Sequence, residues 1–389
     1  MSTWQGIPAG VLAAVIAFLA VVLLLHKRSL KRQANFQQNG GQLLKHMLKV
    51  DGNNTFTIYD RGDIMKATRK FHKANIVGEG AHGTVYKATL RVGGGATTIT
   101  VAVKRCKEID ESRKKEFVQE LVILCHLSHP NIVRLLGCCL ECEAPMLVYE
   151  FVQNRSLNHL LHGKPVRPVT LAMRLRIAAE TAEALAHLHT SPHPVLHGDV
   201  KPENILLADG LAAKVSDFGC STINDNVQVV PKGTLAYLDP EFLLDFQLTD
   251  KNDVYSFGVV LVELLTRKKP QSKDGKSLTL MFQESIRGGT LDELLDTDIV
   301  EQSSIVVIHQ AAELGSRCLA VPGTTRPPME EVAQVLRRLQ DQVPERSQPP
   351  HEQELQDISP TEMEMTTGYP TAHSQSDAAG GTYCVAKKE

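Results

Sequence analysis

His197-Gly198-Asp199-Val200-Lys201-Pro202-Glu203-Asn204, followed at a short distance by Asp217-Phe218-Gly219, decides how this chain is read. Asp199 can accept the proton of a hydroxyl, and Lys201, two residues on, can neutralise charge on a phosphoryl group. Asn204 and Asp217 offer hard oxygen donors of the kind that hold Mg²⁺ against phosphates. Taken singly, Asp199 and Asp217 read as solvated turn carboxylates, and His197 and Phe218 as packing residues that support the two loops. The order and spacing of the whole set point to chemistry.

Upstream, Gly78-Glu79-Gly80-Ala81-His82-Gly83 is a G-x-G-x-x-G, which dinucleotide-binding folds also use. The flanks separate the two readings. A dinucleotide fingerprint runs into a helix, whereas Thr84-Val85-Tyr86-Lys87 is strand sequence. The glycines therefore close a loop between two strands, where backbone N–H groups can lie over phosphates. Gly83 to Leu90 and Thr97 to Cys106 read as strands, with Gly93-Gly94-Gly95 as the turn between them. Lys104 ends the apolar run Val101-Ala102-Val103 and needs a partner for its charge. Phe117, Leu121 and Leu124 recur at helical spacing, and Glu120 on that helix is the candidate partner.

After Phe151 helices dominate. Leu171, Leu175, Ala178, Ala182 and Leu185 form one apolar stripe. Val254 to Leu265 is apolar on nearly every side, so it is expected to lie buried in a helical lobe. It is too short to span a membrane. A strand-rich lobe followed by a helix-rich lobe is an α+β, two-lobed architecture.

At 389 residues the chain can form one large domain or two modest ones, and its net charge of −2 gives no reason to expect nucleic-acid binding. Its eight cysteines form no short-range disulfide framework and read as reduced thiols in a cytosolic domain. Cys138, Cys139 and Cys142 lack the paired-knuckle spacing of a zinc site. Gly6 to Leu25 carries no charge and is long enough for a ~30 Å hydrocarbon core. His26, Lys27, Arg28, Lys31 and Arg32 follow it, so the remainder is expected in the cytosol. The reading along the chain is then a short extracytosolic stretch at 1–5 and a membrane helix at 6–25. A polar juxtamembrane segment at 26–75 follows, with one short helix near Ile64 to Phe71. The globular domain runs over 76–340, its lobes dividing at 150/151. A tail at 341–389, rich in Pro, Gln, Ser, Thr and Glu, cannot bury enough apolar surface to order itself.

With these residues assembled, the stretch from about Ile76 to Leu339 resembles a eukaryotic protein kinase. Within that superfamily it resembles the plant receptor-like kinases of the Pelle-type branch, most closely the wall-associated-kinase-like group. Asn39-Gly40-Gly41, Ala67-Thr68 before Phe71, Gly137-Cys138-Cys139-Leu140-Glu141, Leu147-Val148-Tyr149-Glu150-Phe151 and Gly233 to Glu241 carry that likeness. The resemblance implies an ATP- and Mg²⁺-dependent serine/threonine kinase at the plasma membrane. It places Asp199 and Lys201 at the catalytic centre and Asn204 and Asp217 on the metal. Val77, Gly78, Gly80, Gly83 and Val85 would cover the nucleotide, and Lys104 with Glu120 would hold its phosphates. Tyr149 aligns with the gatekeeper, and Glu150 to Val152 with the adenine-contacting hinge. Partners implied are protein substrates bearing Ser or Thr, the lipid bilayer, and a membrane receptor or co-receptor acting in trans.

The same resemblance pairs Glu241 with Arg326, anchors the catalytic loop on Asp253, and gives Thr234 a hydrogen bond to the catalytic Asp and Lys201. Three departures stand out. About five residues precede the apolar run, where wall-associated kinases resemble receptors with large ectodomains. Gly198 stands where most kinases have an arginine that grips an activation-loop phosphate. The loop from Cys220 to Lys232 is short and lacks the Thr-Thr pair common in the group. A kinase-fold scaffold with little turnover is the alternative expectation.

Overall fold

The computed structural model describes residues 9–50, 56–80, 83–91, 97–106, 111–163, 168–223, 227–229, 231–272, 274–300 and 304–343. The Gly93-Gly94-Gly95 turn and the tail from 344 lie outside them. Twelve strands occur among the described residues: β1 (Thr57–Ile58), β2 (Ile76–Gly80), β3 (Gly83–Arg91), β4 (Thr98–Arg105), β5 (Leu135–Cys139), β6 (Met146–Glu150), β7 (Val195–Leu196), β8 (Ile205–Leu207), β9 (Ala213–Val215), β10 (Thr222–Ile223), β11 (Val227–Gln228) and β12 (Gln247–Leu248). The α-helices are α1 (Ala9–Gln38), α2 (Gly41–Val50), α3 (Arg61–Ala67), α4 (Glu111–His126), α5 (Leu157–His162), α6 (Leu171–Thr190), α7 (Pro240–Asp245), α8 (Asp250–Thr266), α9 (Leu278–Gly288), α10 (Leu291–Leu294), α11 (Ile305–Cys318) and α12 (Met329–Asp341).

The small lobe is a six-stranded sheet in the order β1-β5-β6-β4-β3-β2, antiparallel except for the β1–β5 pair. Strand β3 shows why this segment is a strand. Tyr86, Ala88 and Leu90 turn inward while Lys87, Thr89 and Arg91 face water, a period of two. Val101, Val103, Met146 and Val148 continue that buried layer from β4 and β6. Helix α4 lies against the sheet through Phe117, Leu121 and Leu124, all buried.

The large lobe is built round α8, whose residues from Asn252 to Thr266 are all buried. Its N-terminus is closed by a capping box between Thr249 and Asn252. Helix α6 packs its apolar stripe between α8 and α12, and α11 covers another side of α8. Each fully buried Leu, Val or Phe here contributes roughly 1.5–3 kcal/mol of transfer free energy. The centre of this lobe is therefore a rigid floor for the loops that rest on it.

One segment departs from the sequence reading. The stretch read as a polar linker holds ordered elements. Helix α1 continues unbroken to Gln38, α2 follows, β1 adds an edge strand beside β5, and α3 packs on β3. The short helix lies at Arg61–Ala67, a few residues earlier than expected. The physical reason is a sparse set of apolar residues in polar surroundings. Leu44 and Ile64 are fully covered, and Phe36, Phe56 and Ile58 pack against the same cores. Asn39 is itself buried, and its Nδ2 donates to Leu140 O and Cys142 O, both at 2.9 Å. Asn35 Nδ2 donates to Glu141 O at 3.1 Å. The first of these helices is also long and apolar enough to cross a membrane.

Candidate active site

Lys104 comes from the end of β4 and lies between two carboxylates. Its Nζ is 2.8 Å from Glu120 Oε2 and 2.7 Å from Asp217 Oδ1. Burial works against the ammonium, but the charges of Asp217 and Glu120 outweigh it and hold its pKa above the usual lysine range. The lysine is thus a committed cation. Helix α4 positions Glu120, and the segment after β9 positions Asp217, whose φ of 64° turns the chain there.

A fourth group joins this cluster. Tyr149, at the end of β6, donates its hydroxyl to Glu120 Oε1 at 2.6 Å in a buried contact. Burial, with the Glu120 charge beside it, pushes the Tyr149 hydroxyl well above the ordinary phenol range. It is a donor at any working pH. Tyr149→Phe would leave that carboxylate oxygen short of a partner, a loss of about 1–3 kcal/mol at a buried charged acceptor. The expected result is weakened ATP binding, read as a several-fold rise in the dissociation constant by titration of the purified protein. Unchanged affinity would show that Glu120 is held well enough by Lys104 alone.

The loop after β7 forms the other half of the site. Asp199 Oδ1 accepts the Thr234 N–H at 3.1 Å, and Oδ2 accepts from Lys201 Nζ at 2.6 Å and Asn204 Nδ2 at 3.1 Å. Lys201 Nζ also donates to Thr234 Oγ1 at 2.8 Å. The carboxylate is therefore fixed from three directions. Because the Asn204 amide nitrogen is used on Asp199, its oxygen is the atom left to meet a cation. An amide oxygen and a carboxylate make an all-oxygen donor pair, which fits Mg²⁺ by hardness.

Helix α8 supports this loop from below. Asp253 accepts the His197 N–H at 2.8 Å and the Gly198 N–H at 2.9 Å, and His189 Nε2 lies 2.9 Å from it. Burial alone would raise the Asp253 carboxyl, but the His189 hydrogen bond and nearby His197 bring it below the usual carboxylate value. His197 is fully buried and accepts the Asp199 N–H at 3.3 Å through Nδ1, while its ring packs on Phe218. It positions the loop and faces no solvent.

Over the cleft, β2 and β3 pair up to Gly80 and Gly83. Gly83 sits at φ 142°, and a Cβ there would stand 2.4 Å from Arg105 O. No other residue fits without moving β4. Gly78 and Val77 lie on β2 and Val85 faces them on β3. Glu150 closes β6 and leads into Val152. Its carboxylate accepts the Arg134 N–H at 2.8 Å and pairs with Lys214 at 2.9 Å, so that turn is braced from both lobes.

The comparisons with known proteins agree on one family. The description "protein tyrosine and serine/threonine kinase" matches residues 71–336. The chain belongs to that kinase family. It is 40% identical over 352 residues to wall-associated receptor kinase-like 1 of Arabidopsis thaliana, covering 86% of this chain and 47% of that protein. It is 38% identical over 351 residues to wall-associated receptor kinase 1 of the same plant, covering 84% and 47% respectively. The chain thus spans about half the length of these relatives. Its kinase domain is wall-associated-kinase-like.

Within this kinase, one pairing taken from the resemblance needs correction in emphasis. Arg326 is buried beneath α8 and reaches Glu241 Oε2 at 3.3 Å, but its main partner is Asp239. Its Nη1 contacts Asp239 Oδ2, and Nη2 donates to Oδ1 at 3.0 Å. Asp239 is 1% exposed and takes the closer share. Glu241 keeps a third of its side chain in water and also accepts the Gly323 N–H at 2.6 Å.

Proposed function

We propose that this chain is a membrane-anchored serine/threonine protein kinase that uses ATP and Mg²⁺. It would relay signals from a membrane receptor or co-receptor to protein substrates in the cytosol. The observation that carries this reading is the Asp199 carboxylate held by Thr234, Lys201 and Asn204, with the Lys104–Glu120–Asp217 cluster across the cleft. Asp199 orients a substrate hydroxyl and accepts its proton as the γ-phosphoryl group leaves ATP for the hydroxyl oxygen. Lys201 neutralises charge on the group in transfer, and Lys104 holds the α- and β-phosphates. Asn204 and Asp217 would hold Mg²⁺, which when bound would neutralise the phosphate oxygens. The glycine loop from Gly78 to Gly83, with Val77 and Val85, covers the nucleotide, and Glu150 and Val152 meet the adenine. Almost all of this is positioning and electrostatics. Gly198 makes the kinase one that lacks the arginine before its catalytic aspartate. The kinase domain proper is 76–340, with the juxtamembrane segment before it and the tail after it.

The test is incubation of the purified full-length chain with Mg²⁺ and ATP, followed by mapping of phosphorylated residues. Phosphoserine and phosphothreonine are expected. Their absence, with ATP still bound, would favour the scaffold reading.

Anchoring has its own test. Basic residues follow the apolar half of α1, so the C-terminus is expected on the cytosolic side. The chain should stay in the membrane pellet through an alkaline wash, and a reporter fused after Glu389 should be open to protease only from the cytosolic face. A soluble chain beginning near His26 would overturn the assignment.

A further inference from the structure

The activation segment of a kinase, from Asp217 to Glu241 here, must be held in place for the site to work. A phosphate on that segment commonly does this by meeting an arginine beside the catalytic aspartate. Position 198 offers no such group. Gly198 has φ 76°, and a Cβ there would come within 2.9 Å of Cys220 O, so the segment's own backbone fills the space.

The segment's described residues are nonetheless tied down at several points. Ser221 Oγ donates to His197 O at 3.0 Å, and the residue is 3% exposed, which leaves its hydroxyl engaged and shielded. Thr222 and Ile223 pair with Leu196 and Val195. Two further ties reach across to α4. Gln119 Nε2 donates to Ser221 O at 2.7 Å, and Lys232 Nζ lies 2.6 Å from Glu116 Oε1. Glu116, Gln119 and Glu120 stand at i, i+3 and i+4, on one face of the helix. The same face that presents Glu120 to Lys104 therefore grips the segment at two points, Ser221 and Lys232. Here the segment supplies a cation and the helix an anion, where a phosphorylated segment would supply the anion.

We propose that Glu116 and Gln119 of α4 are positioning residues that latch the activation segment through Lys232 and Ser221, in place of a phosphate. The latch rests on the kinase reading above. It makes the orientation of Glu120 and the placing of Thr234 against Asp199 depend on each other, because one helix face serves both. The Lys232–Glu116 half is partly exposed and weakens with salt. The Gln119 half is the more shielded of the two.

The test uses the full-length chain in detergent after phosphatase treatment, with loop phosphorylation checked by mass spectrometry. Wild type should keep its activity within a few-fold of the untreated protein. Glu116→Lys should lower kcat/KM for a protein substrate roughly three- to tenfold, and Gln119→Leu by about tenfold or more. The double exchange Glu116→Lys with Lys232→Glu should return activity to within about threefold of wild type. Hydrogen exchange of the 220–234 amides should quicken in each single variant and slow again in the double exchange. That readout needs no catalysis, so it separates the two claims. If exchange follows the charge swap but no variant transfers phosphate, the latch stands and the kinase reading falls. Unchanged exchange in Glu116→Lys and Gln119→Leu overturns the latch. So does a loss beyond about 100-fold on phosphatase treatment of wild type.

Discussion

Asp199→Asn is expected to lower kcat by about 10³–10⁴-fold, or about 4–5.5 kcal/mol in transition-state terms. The amide keeps the Thr234 N–H contact on one oxygen but cannot take a proton. It also strips Lys201 of the carboxylate 2.6 Å away. The change keeps the side chain's size and leaves in place the Lys104–Glu120–Asp217 cluster, proposed above to hold the nucleotide, so ATP affinity should stay within about threefold of wild type. Steady-state kinetics and nucleotide titration on the same preparation check both halves. Phosphotransfer at the wild-type rate would remove Asp199 from the mechanism. A parallel loss of ATP affinity would mean that the variant had disturbed the cleft as a whole.

Arg326→Ala should produce a large loss of stability in the large lobe. Its guanidinium is fully buried and donates to Asp239, to Ala320 O at 2.8 Å and to Lys251 O at 2.9 Å, and it stacks over Tyr255. Removing it leaves the buried Asp239 carboxylate without its cation, held only by Asn252 Nδ2 and the Glu241 N–H, which typically costs ~3–5 kcal/mol. For a domain of this size that corresponds to a fall in Tm of roughly 10 °C. Glu241→Gln, at a carboxylate about one-third exposed, should cost less than about 1 kcal/mol. Thermal unfolding of both variants distinguishes the partners. Equal losses would put Glu241 on the same footing as Asp239.

What could be read from the sequence was chemistry that sits close together along the chain. The span from His197 to Asn204, the three residues at Asp217, and the glycine loop are each local, so their spacing survives folding. Lys104 and Glu120 also came through, because a charge among apolar residues demands a partner and one helical carboxylate stood near. What stayed hidden depends on contacts between distant segments. Tyr149 carried a usable signal, since a tyrosine in an otherwise apolar strand needs a partner for its hydroxyl, but nothing in the strand says the partner is Glu120. Asp239 is recognisable as the partner of Arg326 only once folding brings together positions 87 residues apart. The ordered stretch before Ile76 is hidden for a different reason. Its apolar residues are too few to show a period, and they are buried only because a sheet edge and a hairpin are already there to receive them.

Helix α1 carries a last consequence. It runs without a break from its apolar half to Asn35, which is bonded to the turn between β5 and β6. At 1.5 Å per residue, the run from Leu25 to Asn35 measures about 15 Å. With the apolar half set in a bilayer, the small lobe would stand on a short, stiff post and not on a loose tether. Such a post permits little sweep into the cytoplasm. Proteins held in the same patch of membrane would be met at high effective concentration, as tethered partners are. Freely diffusing ones would have to come to the surface. For such an enzyme, neighbourhood selects targets alongside any preference of the cleft, and lengthening the post by inserted helical turns would widen the choice.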